Sequence, residues 1–355
     1  MRTLDPAIGY DVVSWSFEQM LFNTLVDYDE GTTIVPELAE SWETSADGRR
    51  VTFRLRHDVR FGTGRVLEAP DVKYSLERLL APATHSQGAE FFRGVAGAED
   101  FAEGRAAGVR GVTVTAPDEL AFELVAPDPL FLHKLAMPFA AVVDRDTAER
   151  EGAQGFARHP MGTGPFVLAE WVYGRTLRLA RNPYYFRPGL PHLDGVELTI
   201  GVSEQLAWFK YQRGELDICG IPSAEFARVT TDARYRPVLL ERTTLRTQYL
   251  GLNCEVPPFD RVAVRQAMNL AIDRARLLAL IDGRGVVAET VLPPDMPGYD
   301  PGIHPYAHDP IAARARLDEA GLGAGFATTL WASRDDGTLR IAQSLQQDLR
   351  ALRVD

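Results

Sequence analysis

Apolar and polar residues alternate most clearly in the first quarter of the chain. The run from Val51 to Arg56 alternates in this way, which is typical of a strand with one buried face. Asp47 and Gly48 form a two-residue turn signal between this run and the segment that contains the apolar-looking Trp42. Because such a turn joins neighbouring antiparallel strands, the pattern predicts a β-hairpin.

A helix is predicted directly after this hairpin. The triplet Ala69-Pro70-Asp71 is a helix-start signal, because proline is tolerated in the first helical turn. The apolar residues that follow recur at helical spacing, at Val72, Leu76, Leu79 and Leu80. Glu77 and Arg78 lie between them, so we expect both to face outward.

The rest of the chain carries shorter patterns of the same two kinds. Helices are predicted in these segments: the apolar stripe within 10–28, 131–136, 203–217, 312–321 and 340–352. Strands are predicted in these segments: 112–115, 120–124, 196–200, 248–253 and 328–331. The first two are predicted to form a second hairpin, with its turn at Pro117 and Asp118. Residues 287–306 are rich in proline and predict a loop. Helices and strands in one chain indicate the α/β class.

Composition limits the function classes. The chain has 355 residues, 45% of them hydrophobic, which is enough for two or more cores. Its formal net charge of -11 argues against a nucleic-acid partner, whose phosphates require a basic surface. No apolar run reaches the length of a membrane span, and no apolar signal-peptide region follows Met1. We therefore expect neither a membrane span nor a leader in this sequence.

Residue types that carry catalysis or hold metals form no convincing constellation. There is no nucleophile elbow, zinc-protease helix or paired-cysteine motif, so the chain is not predicted to be an enzyme and no cofactor is predicted. His304 and His308 have a spacing that could share a metal on a helix, but Pro305 favours a loop. Cys219 and Cys254 leave two alternatives open, a disulfide or two small buried thiols.

Two glycine-rich runs have the composition of nucleotide-binding loops but lack their context. Residues 161–166, which contain Gly162, Thr163 and Gly164, lack the lysine and the helix of a phosphate loop. Residues 321–325 follow a predicted helix and precede a predicted strand, the reverse of the dinucleotide-binding order. The first run instead suits a close backbone approach or a positive φ.

Several ordered motifs resemble the extracellular solute-binding proteins of peptide-type ABC transporters, the oligopeptide, dipeptide and nickel group. The matching residues include these: Leu4-Asp5-Pro6, Pro36, Leu38 to Trp42, Asp47-Gly48, Thr52-Phe53, Leu55-Arg56, Asp71-Val72, Tyr74-Ser75, Arg78, Gly162 to Phe166, Arg181-Asn182-Pro183, Gly214-Glu215 and Pro257 to Asp260. The chain departs from the family at Thr63-Gly64, where Asp-Gly is usual. Each motif by itself is an ordinary hairpin or core element.

The resemblance implies a two-lobe, periplasmic-binding-protein-like α/β fold with an extra domain and mixed sheets flanked by helices. It places residues 1–22 and 147–247 in a first, discontinuous lobe, residues 23–146 in the inserted extra domain, and residues 248–355 in the second lobe. Relatives carry an earlier strand and a longer last lobe. The resemblance therefore implies that this chain is truncated at both ends, with its last lobe incomplete.

The resemblance also implies candidate ligand-binding residues. In relatives the start of the first helix faces a ligand cleft, which indicates Tyr10, Val12 and Trp15; core packing is the alternative for each. Phe92, with Phe91 beside it, could stack on ligand side chains or could fix its loop to its own domain.

Four further candidates lie in the second half of the chain. Cys219 and Gly220 follow the Gly214-Glu215 motif, after which relatives line the cleft, although the pair could equally be the end of a strand. Tyr249 and Asn253 lie on the predicted strand 248–253, which the resemblance places near the hinge and the cleft.

The resemblance implies a solute receptor rather than an enzyme. Such proteins capture a peptide between two lobes that close by hinge motion, and deliver it to ABC-transporter permease subunits in the membrane. We expect a monomer that binds no nucleic acid and is periplasmic or anchored at the cell surface. The alternatives are a truncated, non-functional receptor fragment, or a receptor for another solute such as a nickel chelate or a sugar.

Overall fold

The computed structural model describes residues 3–242, 244–333 and 336–355; for Asp336 only the backbone is described. Met1 and Arg2, where the predicted first lobe begins, lie outside these ranges. The chain divides into two compact units, Met1–Gly201 and Val202–Asp355. The predicted lobe boundaries at residues 22, 146 and 247 remain a prediction.

The described part of unit 1 combines nine strands with five helices. The strands are β1 Val26–Tyr28, β2 Ile34–Pro36, β3 Ala39–Thr44, β4 Arg50–Leu55, β5 Val112–Ala116, β6 Glu119–Glu123, β7 Phe166–Val172, β8 Thr176–Arg181 and β9 Gly195–Thr199. The helices are α1 Val12–Leu21, α2 Ala69–Leu80, α3 Ala98–Ala102, α4 Phe131–Leu135 and α5 Arg145–Phe156. Short 3-10 turns span Pro82–Thr84, Gln87–Phe92 and Pro138–Ala140.

Both hairpins expected from the sequence are confirmed. Strands β3 and β4 pair in antiparallel fashion, as do β5 and β6, and the four strands form one sheet in the order β3-β4-β6-β5. Gly48 has φ +69°, which suits glycine at the predicted turn. On β4 the residues Val51, Phe53 and Leu55 are buried, as their alternation predicted.

The helix α2 begins where its sequence signal predicted and covers this sheet. Asp71, one turn inside the helix, accepts a hydrogen bond of 3.0 Å from the backbone N–H of Glu68, which is a typical helix-start contact. The apolar face of α2 is buried, as predicted. The outward placement of Arg78 was wrong, because its guanidinium turns in to pair with Asp5, whose side chain is fully buried.

A second, smaller sheet completes unit 1. Strands β7, β8 and β9 pair in antiparallel fashion in that order, and β1 pairs with β2 in a separate two-stranded sheet. Two apolar clusters divide the interior. One lies under the four-stranded sheet and contains Phe53, Phe61 and Phe122; the other contains Leu21, Phe22 and Phe156 beside the three-stranded sheet.

Unit 2 is mainly helical. Its helices are α6 Glu204–Gln212, α7 Ser223–Thr231, α8 Val262–Ala271, α9 Arg274–Leu280, α10 Pro310–Glu319 and α11 Asp336–Arg350, with a 3-10 turn at Arg236–Val238. The helices predicted within 203–217, 312–321 and 340–352 are confirmed, and the loop predicted for 287–306 contains no helix or strand. The packed helices α8 and α10 bury a small core that includes Met268 and Leu317.

Two predicted strands are wrong. Residues 248–253 and 328–331 are not strands in the structure, and the nearest pairing is a single parallel bridge between Phe326 and Val354. Alternating polarity makes a strand only when a neighbouring segment accepts its backbone hydrogen bonds. Within the described residues no strand lies beside 248–253, so the pattern has no partner.

The structure also bears on the two cysteines, on the spacing of His304 and His308 and on the membrane span. Cys219 and Cys254 are both free, Cys219 half-buried and Cys254 exposed. Pro305 and the residues around His304 and His308 form a loop, and the described part of the chain contains no cluster of metal-ligating side chains. Among the described helices, none has both the length and the apolarity that crossing a bilayer requires.

Candidate ligand-binding site

The loop of residues 5–11, called here the 5–11 loop, presents apolar side chains at the surface of unit 1. The backbone N–H groups of Ile8 and Gly9 both donate to the carbonyl oxygen of Asp5, at 3.0 and 2.9 Å. Asp11 then caps α1, accepting hydrogen bonds from the Ser14 N–H at 2.9 Å and the Ser14 hydroxyl at 2.7 Å. The loop therefore has a defined shape up to the first helical turn.

Four exposed apolar side chains follow closely on one another along this loop and the start of α1, and are called here the apolar patch. Their exposed fractions are 39% for Ile8, 54% for Tyr10, 56% for Val12 and 53% for Val13. Large apolar side chains exposed together are typical of a binding surface, whereas single exposed ones are ordinary. The patch can therefore cover an apolar group of a ligand.

Three aromatic rings, called here the aromatic base, support the patch. The base consists of Trp15, Phe91 and Phe139. Tyr10 stacks on Phe139 with ring centroids 5.8 Å apart, and its centroid lies 6.3 Å from that of Trp15 in an edge-on contact. The indole N–H of Trp15 donates to the Gly9 carbonyl at 3.0 Å. Packed rings of this kind hold a side chain with little loss of entropy on binding.

A buried ion pair ties the start of the 5–11 loop to α2. Both guanidinium NH groups of Arg78 donate to the carboxylate of Asp5, which also accepts the Ala7 N–H at 3.1 Å. The Arg78 guanidinium carbon lies 4.9 Å from the ring centroid of Phe156. The Leu4-Asp5-Pro6 motif therefore holds the 5–11 loop in place through the ion pair between Asp5 and Arg78.

The Gly162-Thr163-Gly164 motif fixes the other end of α1. An ideal Cβ atom at Gly162 would lie 2.3 Å from a ring carbon of Phe22, and one at Gly164 would lie 2.4 Å from the backbone carbon of Leu21. Neither glycine has a positive φ. Of the two alternatives drawn from the sequence, close backbone approach is therefore the one observed.

A polar cavity of about 250 Å³ lies beside the end of α1. It is lined by Glu18, Gln19, Phe22, Asn23, Thr24, Asp27, Ala136, Pro138 and Ala141. Next to it, the buried Glu37 accepts a hydrogen bond of 2.6 Å from Asn23 and pairs with Arg187. Burial raises the pKa of Glu37 above its usual value, against the opposing pull of Arg187.

The structure brings three of the candidate ligand residues together. The ring of Tyr10 contacts that of Trp15, and Val12 lies one helical turn before Trp15 on α1; Tyr10 and Val12 are exposed and Trp15 is half-buried. Phe92 is only 1% exposed and packs in the core, which favours the alternative that it fixes its loop. Its neighbour Phe91 joins the aromatic base instead, and the sequence could not show which of the two adjacent rings turns inward.

Phe139 has no sequence signal that marks it as part of this site. It follows Met137 and Pro138 in a short 3-10 turn, and it reaches Tyr10 only through the tertiary fold. Gly88 packs directly against its ring, because an ideal Cβ there would lie 2.4 Å from a ring carbon. Such contacts arise between segments that are distant in sequence. The periodicity of apolar residues along the chain gives no information about them.

The four candidates in unit 2 are not joined to one another. Tyr249 is 83% exposed, and Gly220 and Asn253 are also exposed. The amide oxygen of Asn253 accepts the Glu255 N–H at 3.0 Å, and burial raises the pKa of the half-buried Cys219 thiol. Among the described residues, no hydrogen bond links any two of the four. Their role in ligand binding stays a prediction.

Comparison with known proteins identifies the group to which this fold is related. The family model described as bacterial extracellular solute-binding proteins, family 5 middle, matches residues 33–355. The murein tripeptide binding protein MppA of Escherichia coli has a solved structure that superposes with a TM-score of 0.86 at 25% identity, covering all of this chain and 72% of that one. The periplasmic-binding-protein fold expected from the sequence is confirmed.

Two curated relatives have different ligands in their names. The dipeptide-binding protein of Escherichia coli K12 is 32% identical over 92% of this chain, and heme-binding protein A of Haemophilus influenzae is 32% identical over the same share. The chain spans 64% and 61% of the lengths of these two relatives. The similarity therefore covers most of this chain but only part of each relative.

Proposed function

We propose that this chain, which belongs to the bacterial extracellular solute-binding proteins of family 5, captures a small solute outside the cytoplasm and delivers it to the permease subunits of an ABC importer. The observation that carries the proposal is the family match through residues 33–355. The exposed apolar patch on its aromatic base supports it independently, since a receptor needs a surface that is held in shape before the ligand arrives.

The ligand we propose is a short peptide. The dipeptide-binding protein and the murein tripeptide binding protein among the relatives support this class. The exposed side chains of Tyr10 and Val12 also suit a peptide ligand. A ring and a branched side chain can contact many different apolar side chains of a peptide. The proposal assigns no catalytic residues, and we infer a receptor rather than an enzyme.

The proposal has two further parts. We expect the protein to act in the periplasm or at the cell surface, because the matching family consists of extracellular solute-binding proteins. We also expect it to act as a monomer, as the sequence analysis predicted.

Thermal denaturation of the full chain tests the ligand class. The compounds are dialanine, alanyl-leucyl-alanine, free leucine and heme, each added at increasing concentration. Binding to the folded state alone stabilises it, by about 2.7 kcal/mol when the ligand is at 100 times its dissociation constant. We expect the midpoint to rise with one or both peptides and not with leucine. A rise with heme alone would overturn the peptide assignment, and no rise with any compound would overturn the receptor proposal for this chain.

A further inference from the structure

Glu18, on α1, has a buried carboxyl group that no part of the ligand patch uses. The side chain is 1% exposed, and in the described part of the chain neither carboxyl oxygen has a hydrogen-bond partner. A buried carboxylate without partners is strongly unfavourable, whereas the neutral acid costs much less to bury. A salt bridge therefore does not explain why the carboxyl group of Glu18 is buried.

The carboxyl group lies directly against the 5–11 loop. An ideal Cβ atom at Gly9 would stand 2.1 Å from Oε1 of Glu18 and 3.0 Å from Oε2, so only glycine fits over the acid in this arrangement. Gly9 is itself buried, and its carbonyl accepts the indole N–H of Trp15. The loop residue that covers Glu18 is thus bonded to the aromatic base and directly precedes Tyr10.

Two described carboxylates near Glu18 oppose its ionisation. The carboxylates of Asp5 and Asp11 both raise the pKa of Glu18. Within residues 3–242 of the described chain, Arg78 is the cation next to Asp5, and both of its NH groups are bound to that aspartate. Asp27 lines the same cavity as Glu18 and is also acidic.

Two described elements that pack against α1, residues 138–140 and β7, bring no compensating charge. Residues 138–140 contain no titratable group. The strand β7 contributes only Glu170, which is paired with Arg178 at the surface. Burial, followed by the two aspartates, raises the pKa of Glu18 to about 8.

We propose that Glu18 is a positioning residue for the 5–11 loop: its neutral carboxyl group is the surface on which Gly9 rests, and its ionisation displaces the loop that carries Tyr10. The role in ligand binding rests on the proposed receptor function, whereas the effect on the loop does not. Ionisation transfers the carboxyl proton to water, and the resulting carboxylate needs water around it. Water reaches it when Gly9 moves away, and that movement breaks the bond from Trp15 and disturbs the support of the patch.

The experiment is a pH titration of the tryptophan indole signals of the full chain by nitrogen-15 NMR, from pH 6 to 9.5. The chain has five tryptophans, and Trp15→Phe identifies the signal of interest. We expect the Trp15 indole N–H signal to shift with a midpoint near pH 8 in the wild type. In E18Q, which cannot ionise, the same signal should stay constant. E30Q, which removes an exposed carboxyl group, is the matched control and should titrate like the wild type.

Two results would overturn the positioning role. One is a Trp15 signal in the wild type that does not move over this range. The other is the same movement in E18Q, or in E18M should E18Q fail to fold. The wild-type titration decides the first point without any variant, so a folding defect cannot leave the proposal undecided.

A binding titration separates this proposal from the receptor function. With alanyl-leucyl-alanine as the probe, wild-type affinity should fall about tenfold between pH 7 and pH 9, because the neutral fraction of Glu18 falls by about that factor. The affinity of E18Q should change less than twofold. If the peptide does not bind at any pH while the Trp15 signal still titrates, the peptide assignment fails and the positioning role stands. If the peptide binds equally at both pH values, the link between Glu18 and the ligand fails.

Discussion

Thr163 and Asn23 lie 140 residues apart in the sequence and are joined by a hydrogen bond of 2.9 Å from the Thr163 hydroxyl to the Asn23 amide oxygen. The amide nitrogen of Asn23 in turn donates to the buried Glu37. The glycine motif that contains Thr163 thus connects to the end of α1 and to the segment after β2 through one side chain. This end of the helix is therefore held by bonds that do not involve the ligand patch.

The close approach of Gly164 to α1 predicts a large effect of a small substitution. In Gly164→Ala the added methyl group would stand 2.4 Å from the backbone of Leu21, which cannot move without shifting the helix. We expect a loss of about 1–3 kcal/mol in the free energy of unfolding. Gly94→Ala, where nothing lies within 4 Å, is the control and should change little. Urea denaturation of both variants measures the difference, and equal midpoints would contradict the predicted clash.

Removing the ring of Tyr10 should weaken ligand binding but not the fold. Tyr10 is 54% exposed and contacts the aromatic base along one side only. Tyr10→Ala should lower affinity for alanyl-leucyl-alanine by roughly fivefold, or about 1 kcal/mol, with a small change in stability. Tyr173→Ala, at a 75% exposed site away from the patch, should leave affinity unchanged. Titration calorimetry makes the comparison; an equal loss in both variants would argue against the patch.

The pair between Arg78 and Asp5 should matter far more than a surface pair of the same type. In Arg78→Met the fully buried carboxylate of Asp5 loses its counter-charge, which typically costs about 3–5 kcal/mol. Arg178→Met removes an arginine that pairs with Glu170 and Glu197 at the surface, where the cost should be below about 1 kcal/mol. Chemical denaturation at pH 7 distinguishes them. Similar losses would mean that Asp5 finds another partner.

Glu18 should make the protein less stable as the pH rises. Its pKa is about 8 in the folded state and near 4.5 when unfolded, so between these values the folded state binds more protons than the unfolded state. The free energy of unfolding then falls with rising pH through this window, by up to about 1.4 kcal/mol per pH unit from this group, and levels off above pH 8. Denaturation of wild type and E18Q from pH 5 to 9 tests this. We expect E18Q to gain relative stability across the window, and a constant difference would refute the shift.

Local structure was largely predictable from the sequence. The alternation of Val51, Phe53 and Leu55 predicted the buried face of β4, and Pro70 with Asp71 predicted where α2 begins. These features depend on side-chain periodicity and backbone sterics within a few residues. The two hairpins were predictable for the same reason, because each turn signal acts on its own flanking strands.

Features that depend on distant neighbours were not predictable in this way. The segment 248–253 alternates like a strand but is not one, since no strand pairs with it in the described structure. Arg78 looks like a surface residue in the sequence, and only the buried Asp5 explains why it turns inward. Phe91 and Phe92 are chemically identical, and the position of Phe139 decides which of them joins the aromatic base.

The sequence by itself determined the family, the class of fold, the hairpins and the approximate positions of several helices, because these depend on motifs and periodicities that are local in the chain. It also indicated Tyr10, Val12 and Trp15 as a group. Only the tertiary structure decided that Gly9 covers a buried acid at Glu18. The physical reason is that burial and charge pairing depend on which distant segments meet, and no local pattern in the sequence records that meeting.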